Sequence, residues 1–244
     1  DAFTVALRED GSVSVVGEHN SGGFPSQDLA LPHQVPRDLP VVAKVSAGAD
    51  HVIALTGSGS VVCWGVNTSG ACDVPEGLTD VVGIAAGAHH SVALSADGNV
   101  VCWGESNSGQ CDVPQDLPEC VAVAAGPYHS LAITVDGHVW GWGDNSSGQC
   151  DAPAEVTNAV KVVGGRQHSA ALLVDGSVVC WGSDFSGQCT PPLNMPSAMD
   201  IDASGLYTLA VLQDGTLATW GEGPATEGVP EEAGFARVFS GTHH

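Results

Sequence analysis

VGIAAGAHHSVALSADGNVVCWGESNSGQCDVP, running from Val82 to Pro114, decides how this chain folds. VGIAAG is a short apolar strand that ends in glycine. HSVALS is a second strand and VVCWG a third. Asp97-Gly98 between them is a tight hairpin turn, because glycine accepts the positive φ such a turn needs. SNSGQ is a loop. Asp112-Val113-Pro114 opens an irregular return, since proline cannot donate to a central ladder.

The unit recurs along the chain. Trp-Gly pairs stand at Trp64, Trp103, Trp142, Trp181 and Trp220, each step being 39 residues, with a degenerate copy at Val16-Gly17. Hairpin glycines recur at Asp136-Gly137, Asp175-Gly176 and Asp214-Gly215. The strands are apolar at nearly every position, so each is expected to be covered on both faces. No stretch has helical periodicity, and the spacers are too short for crossover helices. The pattern predicts one all-β domain over residues 1–244, a six-bladed β-propeller. The chain ends in ARVFSGTHH, a first strand without its continuation, and begins in AFTVALREDGSVSVVG, a second and third strand without the first. These N- and C-terminal strands are expected to pair and complete one blade, which removes free sheet edges. The junction is short, with 20 residues from Gly221 to Gly241 against 22 from Gly104 to Gly126. Seven blades in a longer chain is the alternative.

Charge narrows the choice of partner. Six Lys and Arg face 28 Asp and Glu, for a net charge of −22. The six cations are scattered, whereas a polyphosphate needs them clustered. Direct nucleic-acid binding and an anionic membrane surface are therefore disfavoured. No apolar run approaches the length of a membrane span. An acidic surface favours basic partners.

AGxxHSxAL, then DGxVxxWG, then NxxGQ, resembles the repeat of the regulator-of-chromosome-condensation family over essentially the whole chain. The stretch GWGDNSSGQCDAPAEV, Gly141 to Val156, is also similar to repeats of the β-lactamase inhibitory protein-II family. The resemblance implies a propeller. It does not by itself supply a function, because such propellers serve as exchange factors, inhibitors and scaffolds. The expected function is a non-catalytic, protein-binding recognition or scaffold module, standing alone or as a subunit of a larger assembly. A β-lactamase-inhibitor-like protein and a guanine-nucleotide exchange factor for a small GTPase are the alternatives.

Candidate chemistry dissolves into the repeat. His51, His90, His129 and His168 share one repeat position, with Tyr207 replacing them in the next copy, so a structural role is expected. Neither a nucleophile elbow nor a P-loop appears, and no cofactor or metal is expected. Cys63, Cys102 and Cys180 precede the repeated Trp, while Cys72, Cys111, Cys150 and Cys189 follow it by eight residues. Gly141 stands where Cys150 would need a partner. Mostly free thiols acting as small hydrophobes are expected, and with them a reducing compartment; two or three scattered disulfides are the alternative.

Two slots vary inside this constant frame, the pair in Gly-x-x-His and the pair in Asn-x-x-Gly. They carry His89, Tyr128, Arg166, Phe185 and Tyr207. Turn residues on a rigid scaffold carry specificity, and Tyr and Arg are frequent interface anchors. The resemblance to the inhibitor family implies that aromatic residues in these slots form a contact face. One further segment departs from the repeat. The step from Gly17 to Gly65 is nine residues longer than the others, the excess lying in the loop over 24–36, FPSQDLALPHQVP. Phe24 or Leu29 is its expected apolar anchor for a partner.

Overall fold

Each Asp-Gly pair closes a hairpin in the computed structural model. At the third unit the Ser95 N–H donates to the Asn99 carbonyl at 2.9 Å, and the Gly98 N–H to the Ser95 carbonyl at 3.0 Å. Gly98 sits at φ +82°, the left-handed conformation that completes a three-residue hairpin. The Asp97 carboxylate accepts from the Ser95 hydroxyl at 2.5 Å and ties the turn. The structure describes residues 2–18, 34–223 and 234–237.

Those hairpins build six antiparallel sheets. The first has two described strands, β1 (Ala2–Leu7) and β2 (Val13–Glu18). The second holds β3 (Val42–Ala47), β4 (His51–Thr56) and β5 (Val61–Gly65), and the third β6 (Val81–Ala86), β7 (His90–Ser95) and β8 (Val100–Gly104). The fourth holds β9 (Cys120–Ala125), β10 (His129–Thr134) and β11 (Val139–Gly143), and the fifth β12 (Ala159–Gly164), β13 (His168–Leu173) and β14 (Val178–Gly182). The sixth holds β15 (Ala198–Ser204), β16 (Leu206–Leu212) and β17 (Leu217–Glu222). Each sheet is a propeller blade. First strands of successive blades approach one another, so they lie nearest the axis. Phe24 and Leu29 lie outside the described residues, as do residues 238–244 of the expected closing strand. Ahead of that strand, the N–H groups of Gly234 and Phe235 reach the Gly215 carbonyl at 3.0 and 3.1 Å.

The core lies between blades. Ala85, Val92 and Leu94 of the third blade pack on Cys120, Val123, Ala132 and Trp142 of the fourth. Middle strands are covered throughout, β4 and β10 at every residue. First strands are not, contrary to the expectation from their unbroken apolar runs. A β-bulge recurs at one register, as between Val81 and Gly83 or Ala159 and Lys161. The extra residue turns outward, leaving Val82, Val121, Val160 and Met199 exposed. Leu131 is wholly buried against Val156, Val162 and Trp181. Leu131→Ala is therefore expected to cost about 2–5 kcal/mol in urea unfolding. Val82→Ala should stay within about 0.5 kcal/mol. Equal effects of the two would show that the blades are not packed as described.

The cysteines correct the free-thiol expectation. Cys63 bonds Cys72 and Cys102 bonds Cys111, with Cα–Cα distances of 5.1 and 5.0 Å. The loop after the third strand turns back over that strand, which a spacing of nine residues along the chain does not reveal. The argument from Gly141 holds only for its own blade, where Cys150 is unpaired. The expectation of a reducing compartment rested on free thiols and loses its footing.

Candidate partner-binding face

Two kinds of loop share one end of the propeller. The Gly-x-x-His turns join first to second strands, and the Asn-x-x-Gly loops leave the third. The hairpins occupy the opposite end.

The repeated histidines hold the loop end together from beneath. His51 Nε2 lies 3.1 Å from Ser91 Oγ of the next blade. His90 reaches Ser130 at 3.0 Å, His129 reaches Ser169 at 2.9 Å, and His168 reaches Thr208 at 2.9 Å. Each hydroxyl spends its one proton on a loop carbonyl of the preceding blade. Ser91 donates to Ala71, Ser130 to Gln110, Ser169 to Gln149 and Thr208 to Gln188, at 2.8 to 2.9 Å. The hydroxyl must then accept from the imidazole, so Nε2 carries a hydrogen. Burial pushes His90 down to about 3 and His51, His129 and His168 to about 4. They are 0–1% exposed, and each ring fastens its blade to the next. Between the first and second blades the fastener is apolar. Phe3 packs on a cluster that contains Val52, at the register of the histidine and serine.

Above the histidines the slot residues join into a rim. The Ala49 N–H donates to Ala88, the Ala88 N–H to Pro127, and the Arg166 N–H to Gly205. Pro127 has no N–H and breaks this series. The carbonyls of His89, Tyr128 and Gln167 are held by the N–H groups of Glu105, Asp144 and Ser183 at 2.8 to 2.9 Å. The Asn-x-x-Gly loops are equally fixed. Asp184 Oδ1 accepts from the Cys189 N–H at 2.7 Å, and the Gln188 amide oxygen from the Ser186 N–H at 2.8 Å.

Four of the predicted contact residues stand on this face. Phe185 is 99% exposed and Tyr128 39%. Arg166 is exposed on the same blade as Phe185. His89 is half-buried, its Nδ1 4.0 Å from the Asp50 carboxylate of the blade before. Tyr207 is a correction. It is 4% exposed, paired with Gly221 in the ladder, and fills the histidine position instead of facing a partner. Among the described residues no cluster of His, Cys, Asp or Glu could hold a metal.

The model of the regulator of chromosome condensation (RCC1) repeat matches residues 42–71, 81–110, 120–149 and 159–188. The chain belongs to this repeat family. Solved structures agree on the fold. The entire ectodomain of the receptor kinase CR4 of Physcomitrella patens is 20% identical, with a TM-score of 0.75 over 96% of this chain. The chain spans 65% of that ectodomain's length. The CRINKLY ectodomain of the Arabidopsis thaliana receptor kinase ACR4 is 25% identical, with a TM-score of 0.70 over 97% of this chain and 80% of that one. Prp20p of Saccharomyces cerevisiae is 21% identical, with a TM-score of 0.73 over 91% of this chain and 70% of that one.

Within the repeats of this chain the buried His, Ser, Trp and Gln are frame, and the slot residues differ from blade to blade. The outward valines of the bulges were missed in the sequence. An unbroken apolar run carries no mark of which residue will be extruded. No helix of the described structure is long and apolar enough to cross a membrane.

Proposed function

We propose that this chain is a non-catalytic protein-binding module, a recognition or scaffold propeller that engages its partner through the loop face. One observation carries the reading: a fully exposed phenylalanine, Phe185, on a loop whose backbone is tied down on both sides. Such a side chain costs little further ordering on docking, and a rigid aromatic is an effective anchor. Tyr128 and Arg166 stand in neighbouring slots of the same face. The net charge of −22 favours a basic partner through steering. Relatives in fold give the class support. Yeast RCC1 (Prp20) has been crystallised with Kap60, and Prp20p has been studied for binding to Gsp1p and histones.

The partner is to be recovered by cross-linking to the native protein and then titrated against variants. Phe185→Ala and Tyr128→Ala are each expected to weaken binding about 10- to 30-fold, with unfolding midpoints unchanged. Val135 and Val174 are exposed at the hairpin end and serve as the comparison. Undiminished binding by the Phe185/Tyr128 double variant, with loss on Val135→Asp or Val174→Asp, would move the contact to the opposite face.

A further inference from the structure

The loops after β5, β8, β11 and β14 are four copies of one conformation. Their glycines, Gly70, Gly109, Gly148 and Gly187, sit at φ between +74° and +80°. In each, the N–H of the loop cysteine is held by the residue five positions earlier: Cys72 by Asn67 Oδ1, Cys111 by Ser106 Oγ, Cys150 by Asn145 Oδ1 and Cys189 by Asp184 Oδ1. The loops therefore return their cysteines to the same place over the third strand. In that strand the facing residue is Cys63, Cys102, Gly141 and Cys180 in turn. Cys180 lies opposite Ala170 in the ladder, at the register where Cys63 lies opposite Ile53 and Cys102 opposite Val92. The second and third blades hold disulfides. In the blade with Gly141, a Cβ added there would stand 3.0 Å from the Cys150 Cβ, so the strand does approach the loop, but no second sulfur is present. In the fifth blade both sulfurs are present as free thiols, and Cys189 Sγ lies 3.4 Å from the carbonyl of Trp181, the residue after Cys180.

We infer that Cys180 and Cys189 are an oxidation site and form a third disulfide within a blade, so that the oxidised chain holds three such bridges and two lone thiols, Cys120 and Cys150. The reaction with a small-molecule disulfide is balanced. One thiol loses its proton and attacks a sulfur of the reagent, expelling one thiolate and leaving a mixed disulfide. The second protein thiol, deprotonated in turn, displaces the other half of the reagent. The chain loses two electrons and two protons, and the reagent leaves as two thiols. The neighbouring cysteines lack a facing sulfur: Gly141 stands opposite Cys150, and Cys120 lies in a first strand, outside the repeated pair of positions. The ring closed by the bridge contains Phe185. A bridge there fixes the most exposed aromatic among the described residues, whether or not the loop face is where a partner binds. Bridges of this kind persist in oxidising surroundings.

The test equilibrates the full chain with oxidised glutathione, denatures it in excess iodoacetamide without reductant, and maps the labels by mass spectrometry of peptides. The expected result is two labels per chain, on Cys120 and Cys150, and a linked peptide joining Cys180 to Cys189. Cys189→Ser should raise the count to three by freeing Cys180, while leaving the Cys63–Cys72 and Cys102–Cys111 peptides linked. A label on Cys180 or Cys189 in the unsubstituted chain, or a peptide joining either to Cys150, overturns the assignment.

Discussion

Acidification from pH 7 to pH 4.5 is expected to unfold the propeller, before most of its carboxylates are neutralised. His51, His90, His129 and His168 are held neutral by burial, with folded values of about 3 to 4 against an ordinary 6.5. The unfolded chain takes up protons as pH drops below about 6.5, whereas the folded chain does not until about 4. Stability is therefore fully present above 6.5 and falls with pH through that window. It levels off below the folded values. Each imidazole contributes on the order of 3 kcal/mol across the window. Four of them together rival the roughly 5–15 kcal/mol that holds a typical domain folded. Urea midpoints measured at half-unit pH steps should fall steeply, with a slope approaching four protons near pH 5. A flat profile from 6.5 to 4.5 would mean that the rings titrate normally and are not sealed. A double variant isolates one fastener. His129→Phe with Ser169→Val copies the apolar register of Phe3 and Val52 and should remove one proton from the slope. The Gln149 carbonyl keeps the Trp181 indole N–H at 2.9 Å, so no acceptor is stranded.

A single methyl group at Gly87 should be nearly as damaging. A Cβ there would stand 2.0 Å from His90 Cε1, 2.4 Å from its Nδ1 and 2.7 Å from the Gly126 carbonyl oxygen. The ring cannot swing away without giving up Ser130. The substitution thus brings overpacking together with the loss of a buried hydrogen bond, for about 3 to 4 kcal/mol in all. Gly57→Ala is the control. Nothing lies within 4 Å of its added Cβ, and it should be neutral or stabilise by up to about 1 kcal/mol. Thermal unfolding of the two variants side by side reads the difference. A loss below about 1 kcal/mol for Gly87→Ala would show that the imidazole is not wedged against this backbone.

The period of 39 residues made the blades, their hairpins and their order legible. It did so because a turn such as Asp97-Gly98 is a local event with local chemistry. The structural role of the histidines was equally legible, from their equivalence alone. Their partners were not: Ser130 is 40 residues from His90, and only the stacking of blades brings the two within 3.0 Å. The same limit hid the cysteine pairs, because Cys63 meets Cys72 through a loop path that spacing does not encode. Tyr207 went astray for a different reason. It stands in the histidine column and is buried there, yet its residue type suits a binding rim as well. The exposure of Phe185 and Tyr128 was legible because the constant frame around them marks their positions as loops.

Every histidine fastener points the same way along the chain, from an imidazole to a hydroxyl 40 residues further on. During synthesis from the N-terminus, the donor of each pair always emerges first. At roughly 5–20 residues per second, His90 waits about 2–8 s for Ser130 to leave the ribosome. Until then its blade has no neighbour to cover that side, and the ring is wet and free to titrate. Each finished seam in turn leaves the next imidazole waiting, so the nascent propeller carries one open end that moves along with translation. A pause placed just after a histidine codon would prolong that exposed interval, and one placed after the following blade would not.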